Sequence, residues 1–274
     1  MAPIALNAFE DVRRFVRQEA AIVLEDDKQY LVEARLAPVA RKLGLASIED
    51  LVATALHGVH AEARTKLLEA MTTNETSFFR DVAPFEVLRK EVLPAVLARR
   101  AATKTLNVWC GAASSGQEPY TLAMTIADHF PQLASWRVRI LATDLSEEML
   151  GRCRAATYTQ FEVNRGLPAA ALIKHFDRAG LNWTVKPALK SMIEFAPLNL
   201  AKPLPPGPPW DVVFLRNVLI YFDVETKRAI LGRVRRAMSS DGRLFLGAAE
   251  RVIGIDDGFE RDPYERTTCW KPKA

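Results

Sequence analysis

Along the first 70 residues the apolar positions recur at helical spacing, whereas from Leu106 onward short apolar runs alternate with amphipathic stretches. Phe9, Val12, Phe15 and Val16, continuing into Glu19–Ala20, follow one helical face, with Arg13, Arg14 and Arg17 off that stripe. A further helix is predicted to start at Ser47 as N-cap, with Asp50 three residues on where a Glu or Gln is usual. Pro38 and Gly44 punctuate between these helices. Two readings of this segment stand open: a small bundle with a solvated charged face, or one whose basic face recognises something.

The second rhythm predicts strands over 104–110, 137–143, 191–195, 211–216 and 242–248, and a terminal hairpin over 259–271. Helices are predicted over 117–130, 146–154 and 223–238. Pro205, Pro206, Gly207, Pro208 and Pro209 make a rigid loop ahead of the apolar run WDVVFLRNVLIY. Such alternation implies an α/β fold, a doubly wound Rossmann-like sheet with ligands at the carboxyl ends of its strands. Between Tyr158 and Ser191 the pattern breaks, as for a small inserted β-subdomain, with 181–186 (LNWTVK) as its clearest strand. The expected organisation is an all-α domain over 1–70 and a catalytic domain over 71–274 carrying the insertion at about 158–191.

Bulk composition narrows the picture only a little. The chain has 274 residues, 49% hydrophobic and 26% charged, as in ordinary globular proteins. No apolar run approaches the roughly 18–20 residues a membrane span needs, and the N-terminus lacks the order of a signal peptide. Cys110, Cys153 and Cys269 are scattered without ligand spacing, so reduced, buried thiols in a cytoplasmic protein without a metal site are expected. A net charge of +4 and a pI near 9.0 favour an acidic partner, either nucleic acid or an acidic protein surface.

Two segments carry candidate chemistry. Residues 107–120 (NVWCGAASSGQEPY) read as a strand, a turn with Gly111 and Gly116, and a helix start. Residues 141–150 (LATDLSEEML) place Asp144 just past an apolar strand, where a carboxylate takes a ribose diol. Small residues throughout the first turn let the backbone approach a ligand closely. Glu118 at the helix start would repel a pyrophosphate but attract an ammonium or sulfonium, which points to S-adenosylmethionine rather than a dinucleotide. Glu118 as a partner of the helix dipole and Asp144 as a plain N-cap remain open, although Ser146 is available to fill that cap. Ahead of the sheet, 71–81 (MTTNETSFFRD) sets Asn74, Thr76 and Arg80 beside Phe78 and Phe79, a pattern suited to a segment folded over a pocket.

The run MTTNETSFFRD (71–81), the turn WCGAASSGQEPY (109–120), the strand end ATDLSEEML (142–150), the segment FAPLNL (195–200) and the strand FLRNVLIYFD (214–223) occur in an order that resembles the chemotaxis receptor glutamate O-methyltransferases, the CheR-type family. The resemblance covers nearly the whole chain. It implies an S-adenosylmethionine-dependent enzyme that methylates glutamate side chains on the cytoplasmic helices of chemoreceptors (methyl-accepting chemotaxis proteins), giving γ-methyl esters and releasing S-adenosylhomocysteine. By the same resemblance, Asn74, Thr76, Arg80, Glu118, Asp144, Asn199, Leu200, Arg216 and Asn217 are cofactor contacts. Glu118 matches the residue that holds the methionine amino group, Asp144 the ribose partner, and Asn199 with Leu200 the pair beside the adenine. Arg80 and Tyr221 match the residues nearest the reacting methyl group and are the candidate catalytic pair.

Two departures stand out. Gly111 occupies a place where some members carry a larger residue. The run HFDRAGLNWTVKPAL (175–189) is several residues shorter than in members that first dock on a receptor's C-terminal pentapeptide, so independence of that tether is expected. A glutamate nucleophile, with a reference pKa of about 4.3, is already ionised at neutral pH and needs no strong base. That agrees with His57, His60, His129 and His175 lying outside the motifs, on presumed helices. Arg80 and Tyr221 are accordingly assigned to orientation. Two alternatives remain: methylation of another substrate, such as RNA, and a non-catalytic sensor of the cofactor. Nearly balanced acids and bases in 1–70 speak against RNA, and no nucleic-acid partner is expected. Retention of both Arg80 and Tyr221 speaks against a pure sensor.

Overall fold

A computed structural model describes residues 4–58, 60–264 and 267–273. The remaining residues of the expected domain ranges, and positions 265–266 of the expected terminal hairpin, lie outside the described residues.

The N-terminal helices are α1 (Leu6–Ala20), α2 (Gln29–Lys42), α3 (Ile48–His57) and α4 (Ala61–Ala70). Ala8, Phe9, Val12, Phe15, Val16 and Ala20 are the buried face of α1, as its spacing predicts. They pack with Val32 and Leu36 of α2, Leu51 of α3 and Leu67 of α4 in one apolar core. Ser47 caps α3 by accepting the Asp50 backbone N–H at 3.0 Å, and Ala21 ends α1 in the left-handed conformation. Pro38 does not separate helices; it sits inside α2 on an exposed position, where water can serve the carbonyl it leaves without a donor. His60 lies one residue ahead of α4 rather than on a helix.

Linker 71–82 leads into a helical stretch that the apolar spacing leaves unassigned: α5 (Ala83–Val87), a π-turn (Leu88–Val92) and α6 (Leu93–Arg99). The sheet follows. Its strands are β1 (Thr105–Gly111), β2 (Arg137–Asp144), β6 (Ile193–Pro197), β7 (Trp210–Leu215), β8 (Met238–Leu246), β9 (Phe259–Arg261) and β10 (Thr268–Pro272). They are ordered β6-β2-β1-β7-β8-β10-β9, parallel from β6 to β8, with β10 antiparallel to both neighbours. Every residue of β7 is buried, the mark of a central strand covered on both faces. Helices α7 (Gln117–His129), α8 (Glu147–Ala155) and α12 (Val224–Ala237) are the three predicted crossovers.

The irregular stretch holds three strands, of which only the last lies in the run 181–186 that the pattern singles out. β3 (Thr157–Thr159), β4 (Phe176–Ala179) and β5 (Asn182–Val185) form an antiparallel sheet, interleaved with α9 (Gln160–Asn164), α10 (Ala169–His175) and α11 (Pro187–Lys190). β3 and β4 are three and four residues long, too short for alternation to register. This subdomain is tied to α7 through the His175 ring and Lys174, both on Asp128, at 2.9 and 2.7 Å.

Candidate functional site

A cavity of about 910 Å³, counted to its open mouth, lies over the carboxyl ends of β1, β2, β6 and β7. That is the place expected of a cofactor site in a doubly wound sheet. All ten residues named from the sequence line it. Asn74, Thr76 and Arg80 come from the linker, and Glu118 from the first turn of α7. Asp144 closes β2, Asn199 and Leu200 follow β6, and Arg216, Asn217 and Tyr221 follow β7.

The two strand-end turns are joined through Asp144. Its carboxylate accepts backbone N–H bonds from Ser114 (2.8 Å) and Ser146 (2.9 Å), while the Ser146 hydroxyl caps α8 by accepting from Met149 (3.2 Å). Ser146 therefore does the capping, and Asp144 fixes the first turn against the second. A carboxylate has about four lone-pair sites, so two remain for a diol. Burial pushes the Asp144 acid above the ordinary aspartate range, against the pull of the Ser146 and Ser114 N–H groups. The glycines serve packing rather than ligand approach. A Cβ on Gly116, which sits at φ 98°, would lie 2.8 Å from the Tyr158 hydroxyl and 3.2 Å from Cys153 Sγ. One on Gly111 would lie 2.9 Å from Leu215 Cδ1. Ala112 and Ser114 are the turn residues that line the cavity.

Glu118 has a partner the sequence did not disclose. Its Oε2 accepts from Arg216 Nη1 at 2.5 Å, and the Cys110 thiol donates to its Oε1 at 3.4 Å. Burial, followed by the Glu118 charge, holds that thiol well above its usual range, so Cys110 stays protonated as a donor. Arg216 Nη2 donates to Asp81 Oδ2 (2.7 Å) and to the Arg80 carbonyl (3.0 Å). One buried guanidinium thus spans the cofactor side of the cavity and the linker. Among the described residues, Arg216 Nε and Asn217 Oδ1 are buried without a hydrogen-bond partner. Among the described residues, the charged ones lining the cavity are Glu75, Glu118 and Asp144 against Arg80 and Arg216: three acids, two bases, an excess of one negative charge. This donor set suits a ligand carrying an ammonium, a carboxylate and a sulfonium, whose net charge is positive, together with a ribose.

The linker is held from three directions. Arg35 of α2 donates to the Met71 carbonyl (2.9 Å) and the Thr73 hydroxyl (2.8 Å), and Ser114 Oγ donates to the Asn74 carbonyl (2.8 Å). Phe78 is fully buried edge-on against Tyr158 and Phe176, 5.1 and 5.6 Å between ring centres. Phe79, Asp81 and Val82 all adopt positive φ (48°, 66° and 44°), unfavourable for side-chain-bearing residues. Arg216 bonds two acceptors inside that strained turn. Arg80 Nη1 donates to the Glu75 carbonyl at 2.9 Å.

The helical bundle also reaches the cavity, which no local pattern signalled. Ala20 and Ile22 line it, Ile22 forms a β-bridge with Phe222, and the Val23 N–H donates to the Tyr221 carbonyl at 2.9 Å. Asn199 Nδ2 donates to the Glu19 carbonyl (2.7 Å), so this residue links the two regions. The arginines of α1 are paired within the chain: Arg13 with Glu10 and Asp26, Arg14 with Asp11, Arg17 with Asp223. Among the described residues no histidine lines the cavity, and the three cysteines are buried and unpaired with one another.

Comparison with known proteins gives the family. Residues 74–267 match the family model described as CheR methyltransferase, SAM binding domain, and residues 7–72 the one described as CheR methyltransferase, all-alpha domain. The chain is 41% identical over 261 residues to the chemotaxis protein methyltransferase of Vibrio parahaemolyticus, covering 94% of each chain. It is 41% identical to chemotaxis protein methyltransferase 1 of Pseudomonas aeruginosa, covering 93% of this chain and 94% of that one. Among solved structures, magnesium protoporphyrin IX methyltransferase from Synechocystis PCC 6803 with bound SAH aligns at 18% identity and a TM-score of 0.32, over 64% of this chain and 61% of that one.

Proposed function

The chain belongs to the CheR methyltransferase family, and from that premise we propose that it methylates glutamate side chains on the cytoplasmic helices of chemoreceptors, as an S-adenosylmethionine-dependent chemotaxis enzyme. The observation that carries this reading is the convergence of ten residues from five separate sequence segments on one cavity at the strand ends.

S-adenosylmethionine, when bound, supplies an electrophilic methyl group on a positively charged sulfur. Residues suited to hold it are Asp144 for the ribose diol, Glu118 and Asn217 for the ammonium, Arg216 for the carboxylate, and Asn199 with Leu200 for the base. Asn74 and Thr76 lie on the linker that closes over them. The acceptor glutamate arrives ionised, so the enzyme needs no general base, in keeping with a cavity without histidine. Carboxylate and sulfonium charges cancel as the methyl group transfers, so strong pairing of Arg80 with the acceptor would favour the ground state over the transition state. Arg80 and Tyr221 accordingly align the acceptor for in-line attack, and the backbone around Arg80 is fixed for that purpose by Arg216 and Asp81.

Residues 1–70 serve in this reading as the receptor-facing domain. The Arg14 and Arg17 side chains are 67% exposed, and surface ion pairs such as theirs exchange readily for those of a partner. The β-subdomain would act without a peptide tether: Gly180 and Leu181 alone join β4 to β5, which leaves no extended loop to grip a receptor tail.

The test is direct. Purified protein, methyl-labelled cofactor and receptor-bearing membranes should yield label on receptor that mild base releases as methanol, because esters hydrolyse where methylated nitrogen does not. Base-stable label would transfer the activity to another acceptor, and heat on titration with a receptor C-terminal pentapeptide would restore the tether.

A further inference from the structure

Behind the cavity wall lies a buried carboxylate that the cofactor and substrate assignments do not use. Glu250 is 4% exposed and makes no ion pair among the described residues. Its charge is met by backbone alone. Oε1 accepts the N–H groups of Val218 (2.9 Å) and Leu219 (2.7 Å), and Oε2 those of Asn217 (2.7 Å) and Gly247 (2.6 Å). Three consecutive N–H groups converge on one anion only because Asn217 adopts φ 57°, which turns its neighbours' donors inward as an anion nest. Four charge-assisted bonds offset the desolvation a lone buried carboxylate would otherwise suffer.

The segment so held is the one that carries the chemistry. Arg216, Asn217 and Val218 line the cavity, and Leu219 begins the 3-10 turn that ends at Tyr221. Gly247 completes the device. A Cβ there would lie 2.6 Å from Asn217 Nδ2 and 2.8 Å from Glu250 Oε2, so an added methyl would have to displace the amide, the carboxylate or both. We infer that Glu250 is a positioning residue for cofactor binding: its carboxylate imposes the left-handed turn at Asn217 and thereby aims Asn217 Oδ1, which has no protein partner, and the Arg216 guanidinium at the ligand. Glu250 touches neither cofactor nor acceptor in this assignment. It acts through residues 216–221.

The inference rests on the cavity binding S-adenosylmethionine but not on glutamate being the acceptor. Calorimetric titration with S-adenosylhomocysteine tests it, with melting temperature recorded on the same preparations. Glu250→Gln keeps the shape but offers one acceptor oxygen for donors that now occupy two. It should weaken binding about tenfold, and Gly247→Ala, which crowds the same two atoms without altering charge, should do likewise. In an Asn217→Ala background the Glu250→Gln effect should shrink to about twofold, because the group being aimed is gone. Hydrogen exchange of the 217–219 amides should rise in Glu250→Gln and resist protection by ligand. Unchanged affinity of folded Glu250→Gln and Gly247→Ala proteins, or equal losses with and without Asn217, would overturn the inference and leave Glu250 a purely structural residue. Should Glu250→Gln fail to fold, Gly247→Ala decides alone. A wild-type protein that does not bind the ligand refutes the cofactor assignment instead.

Discussion

At and just beyond the strand ends, Glu118 (first turn of α7), Asp144 and Arg216 are 9, 6 and 5% exposed, whereas Asn74, Thr76 and Arg80, which share the same cavity, lie part-exposed on a linker. The strand-end residues are fixed by several buried bonds each, to backbone amides or to opposite charges. The linker is fixed by a few contacts at its edges and by one guanidinium, and its backbone is strained at three positions. Rigid strand ends suit recognition of an invariant cofactor. A tensioned segment suits closure over it and alignment of an acceptor that differs from site to site.

If that division holds, Arg216→Ala should have the largest effect. It strands Glu118 in a buried site and frees Asp81, and breaking such a pair typically costs ~3–5 kcal/mol. Denaturant melts should register that loss together with loss of S-adenosylhomocysteine binding; a near-wild-type melt would deny Arg216 its bridging role. On the linker side, Arg80→Ala should reduce turnover at least about tenfold, ~1.4 kcal/mol in the barrier, while cofactor affinity falls less. Parallel single-turnover and binding measurements separate the two, and normal turnover would remove Arg80 from the reaction. Tyr221→Phe should give a smaller, few-fold loss confined to turnover, which isolates the hydroxyl.

The pH dependence sharpens the contrast further. Burial raises the Asp144 acid, so its contribution to stability of the free protein is present below the unfolded pKa of about 3.9 and is lost as pH rises through the folded value. With Asp144 holding the ribose as proposed, cofactor binding needs the ionised form and should run the other way, falling on acidification at a pH above that of an ordinary aspartate. Asp144→Asn should flatten that fall; an unaltered profile would assign it to another group. The smallest effect is expected from Arg14→Glu with Arg17→Glu: a few-fold weaker receptor methylation, diminished at high salt, with cofactor affinity untouched. Identical receptor kinetics would return this face of α1 to a solvated surface.

Much of this protein was legible in the residue order because its signals are local. Helical spacing picked out the buried face of α1, turn chemistry placed Ser47 as a cap and offered Ser146 as another, and strand-turn-helix grammar brought Glu118 to the start of α7 and Asp144 to the end of β2. Misreadings arose where neighbours in space decide. Pro38 is tolerated inside α2 because its position is exposed, and the glycines of the first turn answer to Tyr158, Cys153 and Leu215. β3 and β4 gain strand character from pairing with β5, not from any pattern of their own.

The sequence by itself determined the class of fold, the strand ends that meet, and the residue types able to hold a sulfonium nucleoside, since each follows from periodicity or from chemistry at fixed spacing. Only the tertiary structure decided that Arg216 joins Glu118 to Asp81, that Glu250 gathers four backbone donors, and that the helical bundle supplies Ala20 and Ile22 to the cavity wall. The Arg216 bonds to Glu118 and Asp81 span 98 and 135 positions and the Glu250 bonds to residues 217–219 span 31 to 33, and no local rule of spacing reaches so far, because long-range pairing is set by how the packed layers close on one another.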